Sequence, residues 1–266
     1  MILEKITNNN TSYRVKKGGH IFRDSADSLV RNHLIDFFSA HERHTILVSC
    51  SLSPLDLNRY KEFTIFIVLL TLFVSSLLIA IPLSPNTIWV FSGLQPCGIL
   101  IFPLSFAFLD TINEIFGRKH ARNTVLICAC ALLLAAGGIW LSLQLPGENP
   151  EQTKHYQATF SPLPWLFFIN FICLLTADNA NNYIYSRFKK LCNGHYLVFR
   201  CLVSTLIGQF LYSLIWILMF FTTRMPLGDM LHYVLSNYLF KVVYSLLVCI
   251  PITFILVSGI RRELFK

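Results

Sequence analysis

Apolar residues in this chain are gathered into six long runs that are separated by shorter polar connections. The runs cover Phe63 to Ile81, Leu94 to Phe116, Asn123 to Leu145, Leu163 to Ser186, Leu197 to Phe221 and Val234 to Ser258. Each run has about the 20 residues that a helix needs to cross a hydrocarbon core of about 30 Å. Because lipid offers the backbone no other hydrogen-bond partner, all six runs are predicted to be helices.

The polar stretch before the first run is predicted to form a separate N-terminal extension, residues 1–58, ahead of a six-span domain, residues 59–266. Leu29, His33/Leu34 and Phe37/Phe38 recur at helical spacing, which indicates a short amphipathic helix. We expect either a poorly ordered cytoplasmic extension or a helix that lies on the membrane or contacts a partner. No cleavable signal peptide is expected, since the first run is too long for a signal-peptide core.

Composition supports an integral membrane protein. Hydrophobic residues make up 54% of the 266 positions and charged residues only 14%, against about 25% in soluble domains. The mean hydropathy is +0.56. These values argue against a cytosolic enzyme and against a disordered chain.

The basic residues show the direction in which the runs cross the membrane. Of 22 Lys and Arg, 18 lie before the first run, after the last run, or in the second and fourth connections, whereas the other three connections hold two. Cytoplasmic segments are enriched in Lys and Arg, so both termini are predicted to be cytoplasmic. The fold class is therefore an all-α, six-helix membrane bundle. The net charge of +8 is explained by topology, and no nucleic-acid partner is expected.

The sequence carries no motif for a cofactor, a metal or an enzymatic reaction. The eight cysteines are scattered without a Cys-x-x-Cys pair, and most lie inside apolar runs, so neither a metal site nor a disulfide framework is expected. No Walker A, His-Glu-x-x-His or Gly-x-Ser-x-Gly motif is present. We therefore expect no cofactor and no catalytic residues.

Polar residues inside the second run are the first candidates for function. Asp110 and Glu114 share one helix face, with Asn113 beside them, and Asp110 lies roughly 12 Å inside the membrane if the charged end of the run marks the interface. A buried charge is costly and usually faces a bundle interior or cavity. The alternative is that both acids pair with structural cations such as Arg122 or Arg200. Pro103 predicts a kink one to two turns before Asp110.

The later runs add further candidates. The fourth run carries Asp178 and Asn181. Its polar pattern matches that of the second run, which indicates either a diverged internal repeat or a chance similarity. The fifth carries Arg200 and Gln209. The sixth carries Lys241, which suits either a substrate or proton site, or a structural ion pair.

Residues Arg59 to Glu263, 205 of 266, resemble the queuosine-precursor transporters, known as the YhhQ or VUT family. The resemblance rests on four groups of residues: Arg59-Tyr60-Lys61; Phe102-Pro103 with Asp110, Glu114, Gly117, Lys119, Ala121 and Arg122; Arg200, Ser204-Thr205 and Gly208-Gln209; and Lys241 with Pro251. The chain departs from the pattern at two places. Asp178 and Asn181 replace a Gln-x-x-Asp pattern, and Tyr212 replaces an Asp.

The resemblance implies a bacterial inner-membrane, multi-pass carrier that imports deazaguanine bases, such as 7-cyano-7-deazaguanine or queuine, for tRNA modification. The implied partners are a small deazapurine substrate and the lipid bilayer. The substrate-binding residues are expected among Asp110, Asn113, Glu114, Asp178, Asn181, Arg200, Gln209 and Lys241. A carboxylate could accept two N–H groups of a guanine-like edge, and Phe106, Phe108, Trp165 or Tyr183 could stack on the ring.

Two alternatives belong to other functional classes. The chain could be the substrate-binding membrane subunit of an ATP-driven, vitamin-type importer, with ATP supplied by partner subunits because the chain has no Walker motif. An intramembrane enzyme or a channel is the other alternative. A carrier with a substrate carboxylate at Glu114 predicts that Glu114→Gln abolishes uptake while the protein still inserts.

Overall fold

The structure is a computed structural model that describes residues 1–7, 10–15, 18–32, 34–50, 56–90, 93–222 and 226–264. Three residues used in the sequence interpretation, His33, Arg224 and Lys266, lie outside the described residues, as do the side chains of Arg59 and Tyr60.

Long apolar helices form the main body of the molecule. The helices after the N-terminal stretch are α3 (Asp56–Leu83), α4 (Phe102–Gln144), α5 (Pro150–Phe160), α6 (Leu163–Cys173), α7 (Asn179–Leu191), α8 (Leu197–Phe221), α9 (Leu227–Tyr244) and α10 (Ile250–Leu264). Within the described ranges, five continuous helical stretches are long and apolar enough to cross a membrane: Lys61–Leu83, Cys97–Gln144, Pro150–Leu191, Leu197–Phe221 and Leu227–Leu264. The prediction of an all-α membrane protein is confirmed.

The longest of these stretches contains a break at Gly117, where the backbone has φ 83° and ψ 170°. Only glycine adopts this region without strain. The second and third predicted runs lie on the two sides of Gly117, so the break divides α4 into one segment for each run. The segment before the break is buried along most of its length, and it carries the acids that the sequence singled out.

Two other stretches widen locally into a π-helical turn, at Leu174–Asp178 between α6 and α7 and at Ser245–Cys249 between α9 and α10. The second turn has a cause in the sequence. Pro251 has no N–H to donate to the preceding turn, so the helix must change its hydrogen-bond register there. Such π-helical turns occur often at functional sites.

The predicted kink at Pro103 is wrong. Helix α4 begins at Phe102, so Pro103 occupies the first turn, where a missing N–H removes no helical hydrogen bond. A short hairpin of β4 (Thr87–Val90) and β5 (Gly93–Pro96) precedes it, followed by a 3₁₀ turn at Cys97–Leu100. The hairpin was not predicted.

The N-terminal stretch, which the sequence suggested could be poorly ordered, forms a small unit with its own core. Its elements are β1 (Ile2–Thr7), β2 (Asn10–Arg14), β3 (Ile21–Ser25), α1 (Ala26–Arg31) and α2 (Ala40–Val48). The strands make one antiparallel sheet in the order β1-β2-β3. Leu29, Leu34 and Phe38 are buried in this core, although a 3₁₀ turn at Leu34–Phe37 replaces the single predicted helix.

The N-terminal unit packs on the turn between α7 and α8. The Tyr13 hydroxyl contacts the Asn193 side chain, whose amide nitrogen donates to Asp24 at 3.4 Å. Lys190 lies over the Phe37 ring, 5.7 Å from its centroid. We call this end of the bundle the capped end, and the end at β4 and β5 the far end.

Candidate functional site

Polar side chains extend through the interior of the bundle from the capped end to the far end. All eight sequence-predicted site residues are buried, with exposed fractions of 6% or less. Helix α4 gives a scale for their depth, because Phe102, Phe106, Asp110 and Glu114 recur every four residues, or about 6 Å. The polar residues group into three levels along this scale.

The first level, the capped-end cluster, consists of Glu114, Tyr185, Lys189, Arg200 and Arg261. Arg200 donates to both Glu114 carboxylate oxygens, at 2.9 and 3.3 Å. Lys189 Nζ lies 3.3 Å from Oε2, and Arg261 lies 2.5 Å from Oε1. The Tyr185 hydroxyl donates to Oε2 at 2.8 Å. One carboxylate therefore joins cations from three helices, and both of its oxygens are occupied.

Further bonds connect the capped-end cluster to the backbone around it. Arg200 Nη2 donates to the Gly194 carbonyl at 3.0 Å, in the same turn that the N-terminal unit contacts. Lys189 Nζ donates to the Glu114 carbonyl at 3.0 Å. The predicted site residue Asn113 is also satisfied, since its amide contacts Asn182 and its oxygen accepts from Ser186. These bonds hold the capped end of the bundle together.

The second level, the central layer, contains Asp110, Asp178, Asn181, Thr205, Gln209 and Ser245. Asp110 accepts from Asn181 Nδ2 at 3.1 Å and from Thr205 at 3.4 Å. Gln209 Nε2 donates to Ser245 at 2.7 Å, in the π-helical turn before α10. Gly208 allows the close approach of α7 and α8, because a Cβ there would lie 2.8 Å from Asn181 Cβ.

The central layer holds acceptors with no protein donor. Both carboxylate oxygens of Asp178, Asn181 Oδ1 and Gln209 Oε1 are buried and have no hydrogen-bond partner among the described residues. Buried polar groups are nearly always paired in native proteins, and an unpaired group destabilises the fold. A cluster of unpaired acceptors therefore suits a ligand that supplies N–H or O–H donors.

The third level, the far-end chamber, is a cavity of about 30 Å³. Its lining residues are Ala80, Ile81, Ser84, Pro96, Gly98, Ile99, Phe102, Asn170, Tyr212, Trp216, Asn237 and Lys241. The Lys241 ammonium lies 4.8 Å from the Phe102 ring centroid and 5.2 Å from that of Tyr212. The rings of Phe102 and Tyr212 thus lie against the buried ammonium, and Trp216 lines the same cavity.

Most of the other polar groups in the chamber are paired with one another. Ser213 donates to Asn237 at 3.0 Å, Asn237 donates to Gln95 at 2.8 Å, and the Tyr212 hydroxyl contacts Asn170. Lys241 donates to Ser213 at 3.2 Å, and no carboxylate of the described residues lies within 4.0 Å of its ammonium. An ammonium has three N–H donors, so donor capacity remains at Lys241.

Comparison with known proteins agrees with this buried polar interior. Residues 96–256, more than half of the chain, match the model of a family described as "Putative vitamin uptake transporter". The chain belongs to this vitamin uptake transporter family. No curated protein and no solved structure matches the chain. The transporter is therefore a multi-pass membrane protein that handles a small molecule, and the match does not support the ATP-driven alternative.

The matched range of the transporter contains all eight predicted site residues, and the structure distributes them over the three levels. Arg200 is the structural partner of Glu114, whereas Arg122 is exposed. Of the aromatic candidates, Phe106 is buried, but Trp165 and Tyr183 are nearly half exposed on the bundle surface.

Sequence reasoning missed several members of the levels, namely Gln95, Asn170, Tyr185, Lys189 and Ser213. Asn170 gave a usable signal, because it is the single polar residue between Leu163 and Cys173. Lys189 gave a misleading one, since a Lys pair after an apolar run resembles an ordinary cytoplasmic flank. Its burial in the capped-end cluster depends on contacts that only the fold supplies.

Proposed function

We propose that this transporter imports a queuosine precursor, a deazaguanine base such as 7-cyano-7-deazaguanine or queuine, for tRNA modification. In this proposal the protein is a six-helix bundle of the bacterial inner membrane with both termini in the cytoplasm. The family match supports uptake of a small molecule, and the residues of the central layer support this substrate class.

The observation that carries the proposal is the set of unpaired acceptors at Asp178, Asn181 and Gln209. A guanine-like ring presents adjacent N–H donors on one edge, and a carboxylate accepts two such donors at once. A substrate bound by this edge would satisfy the acceptors that the protein leaves unpaired. Since buried unpaired groups are costly, binding there gains both hydrogen bonds and relief of that cost.

Charge and backbone geometry support the proposed topology. The capped end carries Lys190, Arg261 and Arg262 near the membrane surface, as expected for the cytoplasmic side. The break at Gly117 lies between the second and third predicted spans, where the proposed topology needs the chain to reverse direction. In this arrangement the N-terminal unit lies in the cytoplasm.

The three levels fit alternating access around a site deep in the membrane. The capped-end cluster links α4, α7, α8 and α10, so its bonds would keep the cytoplasmic side closed. The far-end chamber would then be the entry from outside. Release into the cytoplasm would require the helices around Glu114 to separate.

The test is uptake by a bacterium that can neither make nor import queuosine precursors. Cells expressing the wild-type chain are fed 7-cyano-7-deazaguanine, and queuosine in tRNA is measured. We expect queuosine to be restored by the wild type and by Asp229→Asn, an exposed carboxylate change, but not by Asp178→Asn at equal membrane abundance. Failure of the wild type to restore queuosine with any fed base would overturn the proposal.

A further inference from the structure

We propose that the N-terminal unit is an autoinhibitory clamp, which slows release of the substrate by holding the turn between α7 and α8 in its closed position. We call residues 192–196 the α7–α8 turn. The effect on release rests on the proposed function, in which the capped end faces the cytoplasm. The N-terminal unit lies outside the range 96–256 that matches the transporter family, whereas the turn lies inside it. The clamp would thus act on the transporter domain from outside that domain.

The N-terminal unit contacts two successive residues of the α7–α8 turn. The hydroxyl of Tyr13, a fully buried residue, contacts the Asn193 side chain, and Asn193 Nδ2 donates to Asp24 at 3.4 Å. Leu34, from the core of the unit, covers the next residue, since a Cβ at Gly194 would lie 3.7 Å from Leu34 Cδ1. Polar contacts and packing therefore both hold the turn against the unit.

Gly194 connects the α7–α8 turn to the capped-end cluster. Its N–H donates to the Lys189 carbonyl at 2.9 Å, and its own carbonyl accepts from Arg200 Nη2 at 3.0 Å. Lys189 and Arg200 both form ion pairs with the Glu114 carboxylate. One glycine thus joins the surface that the N-terminal unit contacts to two of the three cations around Glu114. A movement of the turn would disturb the cluster that closes this end of the bundle.

The backbone of the α7–α8 turn is strained. Among the described residues, Asn193 and Tyr196 are the two non-glycine residues with a positive φ, at 51° and 56°. Asn tolerates this region, but a bulky residue such as Tyr rarely adopts it. Strained residues persist where the surrounding structure holds them, and they occur often in segments that switch conformation. Loss of the contacts to Asn193 would therefore allow the turn to relax and would loosen the bond between Gly194 and Arg200.

The experiment measures opening of the capped end through a native thiol. Cys201, the residue after Arg200 on α8, is 1% exposed and packs with Tyr185 of the capped-end cluster. The purified full-length chain in lipid nanodiscs is treated with N-ethylmaleimide, and the labelling of each cysteine is followed by mass spectrometry. We expect Cys201 to label at least about threefold faster in Asn193→Gly than in the wild type, because that variant loses the contacts of the clamp.

Two internal comparisons accompany this measurement. Cys173, whose thiol lies against the Tyr212 carbonyl near the far end, should label at the wild-type rate in the variant. Since opening of the capped end is needed for release, the initial rate of 7-cyano-7-deazaguanine uptake into proteoliposomes should rise in Asn193→Gly.

Two further variants separate the clamp from the flexibility of the turn. Tyr196→Gly also places a glycine at a position with positive φ in the same turn, but Tyr196 is 76% exposed, so this variant should label Cys201 at the wild-type rate. Tyr13→Phe removes the contact to Asn193 from the other side and leaves the turn unchanged. It should therefore accelerate the labelling of Cys201, and it tests the clamp even if Asn193→Gly does not fold.

The outcomes that would overturn the clamp are distinct from those that concern the proposed function. Unchanged labelling of Cys201 in folded Asn193→Gly or Tyr13→Phe would overturn the clamp, as would equal acceleration in Tyr196→Gly. Faster labelling of Cys201 and Cys173 together would also overturn it, because the contact would then stabilise the whole fold. Faster labelling of Cys201 without faster uptake would overturn the control of release. The labelling needs no substrate, so a wild type that takes up no base would overturn the proposed function while the labelling still tests the closure.

Discussion

Glu114 and Asp178 are both 1% exposed inside the same bundle, yet their surroundings are opposite. Glu114 contacts three cations and a tyrosine hydroxyl, whereas neither oxygen of Asp178 has a partner among the described residues. Burial alone therefore does not identify a binding residue. The fully hydrogen-bonded carboxylate of Glu114 holds helices together, whereas the carboxylate of Asp178 can still accept hydrogen bonds from a substrate.

The largest expected effect on stability comes from breaking the ion pairs of the capped-end cluster. Glu114→Gln leaves Lys189, Arg200 and Arg261 without their shared anion, and removing one partner of a buried ion pair typically destabilises a protein by about 3–5 kcal/mol. We expect a large drop in melting temperature in detergent, measured by tryptophan fluorescence. This differs from the sequence-based hypothesis, in which the variant inserts normally and loses only uptake. An unchanged melting temperature would support that earlier hypothesis.

A smaller effect is expected where α7 and α8 touch beside the central layer. Gly208→Ala places a methyl group 2.8 Å from Asn181 Cβ, and overpacking of this kind typically costs about 1–3 kcal/mol. Because Asn181 must shift, we expect the initial uptake rate to fall strongly while the melting temperature falls only slightly. The measurement is initial uptake rate beside melting temperature, with Gly259→Ala, which has open space around it, as the matched control. Equal uptake by both variants would show that Asn181 is not positioned by this contact.

Gly117→Ala tests the backbone that presents Glu114. The positive φ of 83° strains any residue with a Cβ, at a cost of about 1–3 kcal/mol. We expect a lower melting temperature, with base binding unchanged in the protein that remains folded. Gly138→Ala, in the last two turns of α4 with nothing near its Cβ, is the control that should be neutral or slightly stabilising. Equal melting temperatures for the two variants would contradict the strained geometry.

The smallest effect is expected at the N-terminal unit. Burial raises the pKa of Tyr13, so its hydroxyl stays protonated and donates to Asp24 at 2.7 Å, and it also contacts the Asn193 side chain. Tyr13→Phe removes these bonds at a cost of about 1 kcal/mol. We expect faster proteolysis of the N-terminal unit and little change in base binding. Tyr196→Phe, an exposed tyrosine near the same turn, serves as the control. Loss of base binding in Tyr13→Phe would contradict this expectation and show that the N-terminal unit is coupled to the central layer.

The sequence predicted the membrane class and the helices well, because long apolar runs depend only on composition and length. Helix α8 has the bounds that its run predicted, Leu197–Phe221. The sequence did not predict the β4–β5 hairpin or the sheet of the N-terminal unit, whose short strands are stabilised by pairing between segments rather than by local preference.

For the site, the sequence located the costly buried groups but not their partners. Asp110, Glu114 and Asp178 looked alike, since depth in the membrane was the available signal. Their different roles follow from side chains on other helices, such as Arg261 for Glu114 and Asn181 for Asp110. The Pro103 kink failed for a related reason, because the sequence did not show that α4 begins there.

The most direct test of this account measures binding of 7-cyano-7-deazaguanine to Asp178→Asn and Arg261→Gln in nanodiscs, together with the melting temperature of each. We predict that Asp178→Asn loses at least about tenfold in affinity and melts no lower than the wild type, because the carboxyl group that it replaces has no protein partner to lose. Arg261→Gln should melt lower and keep its affinity, because it breaks only the capped-end cluster. Wild-type affinity in Asp178→Asn, or lost affinity in a fully stable Arg261→Gln, would contradict the assignment of binding to the central layer.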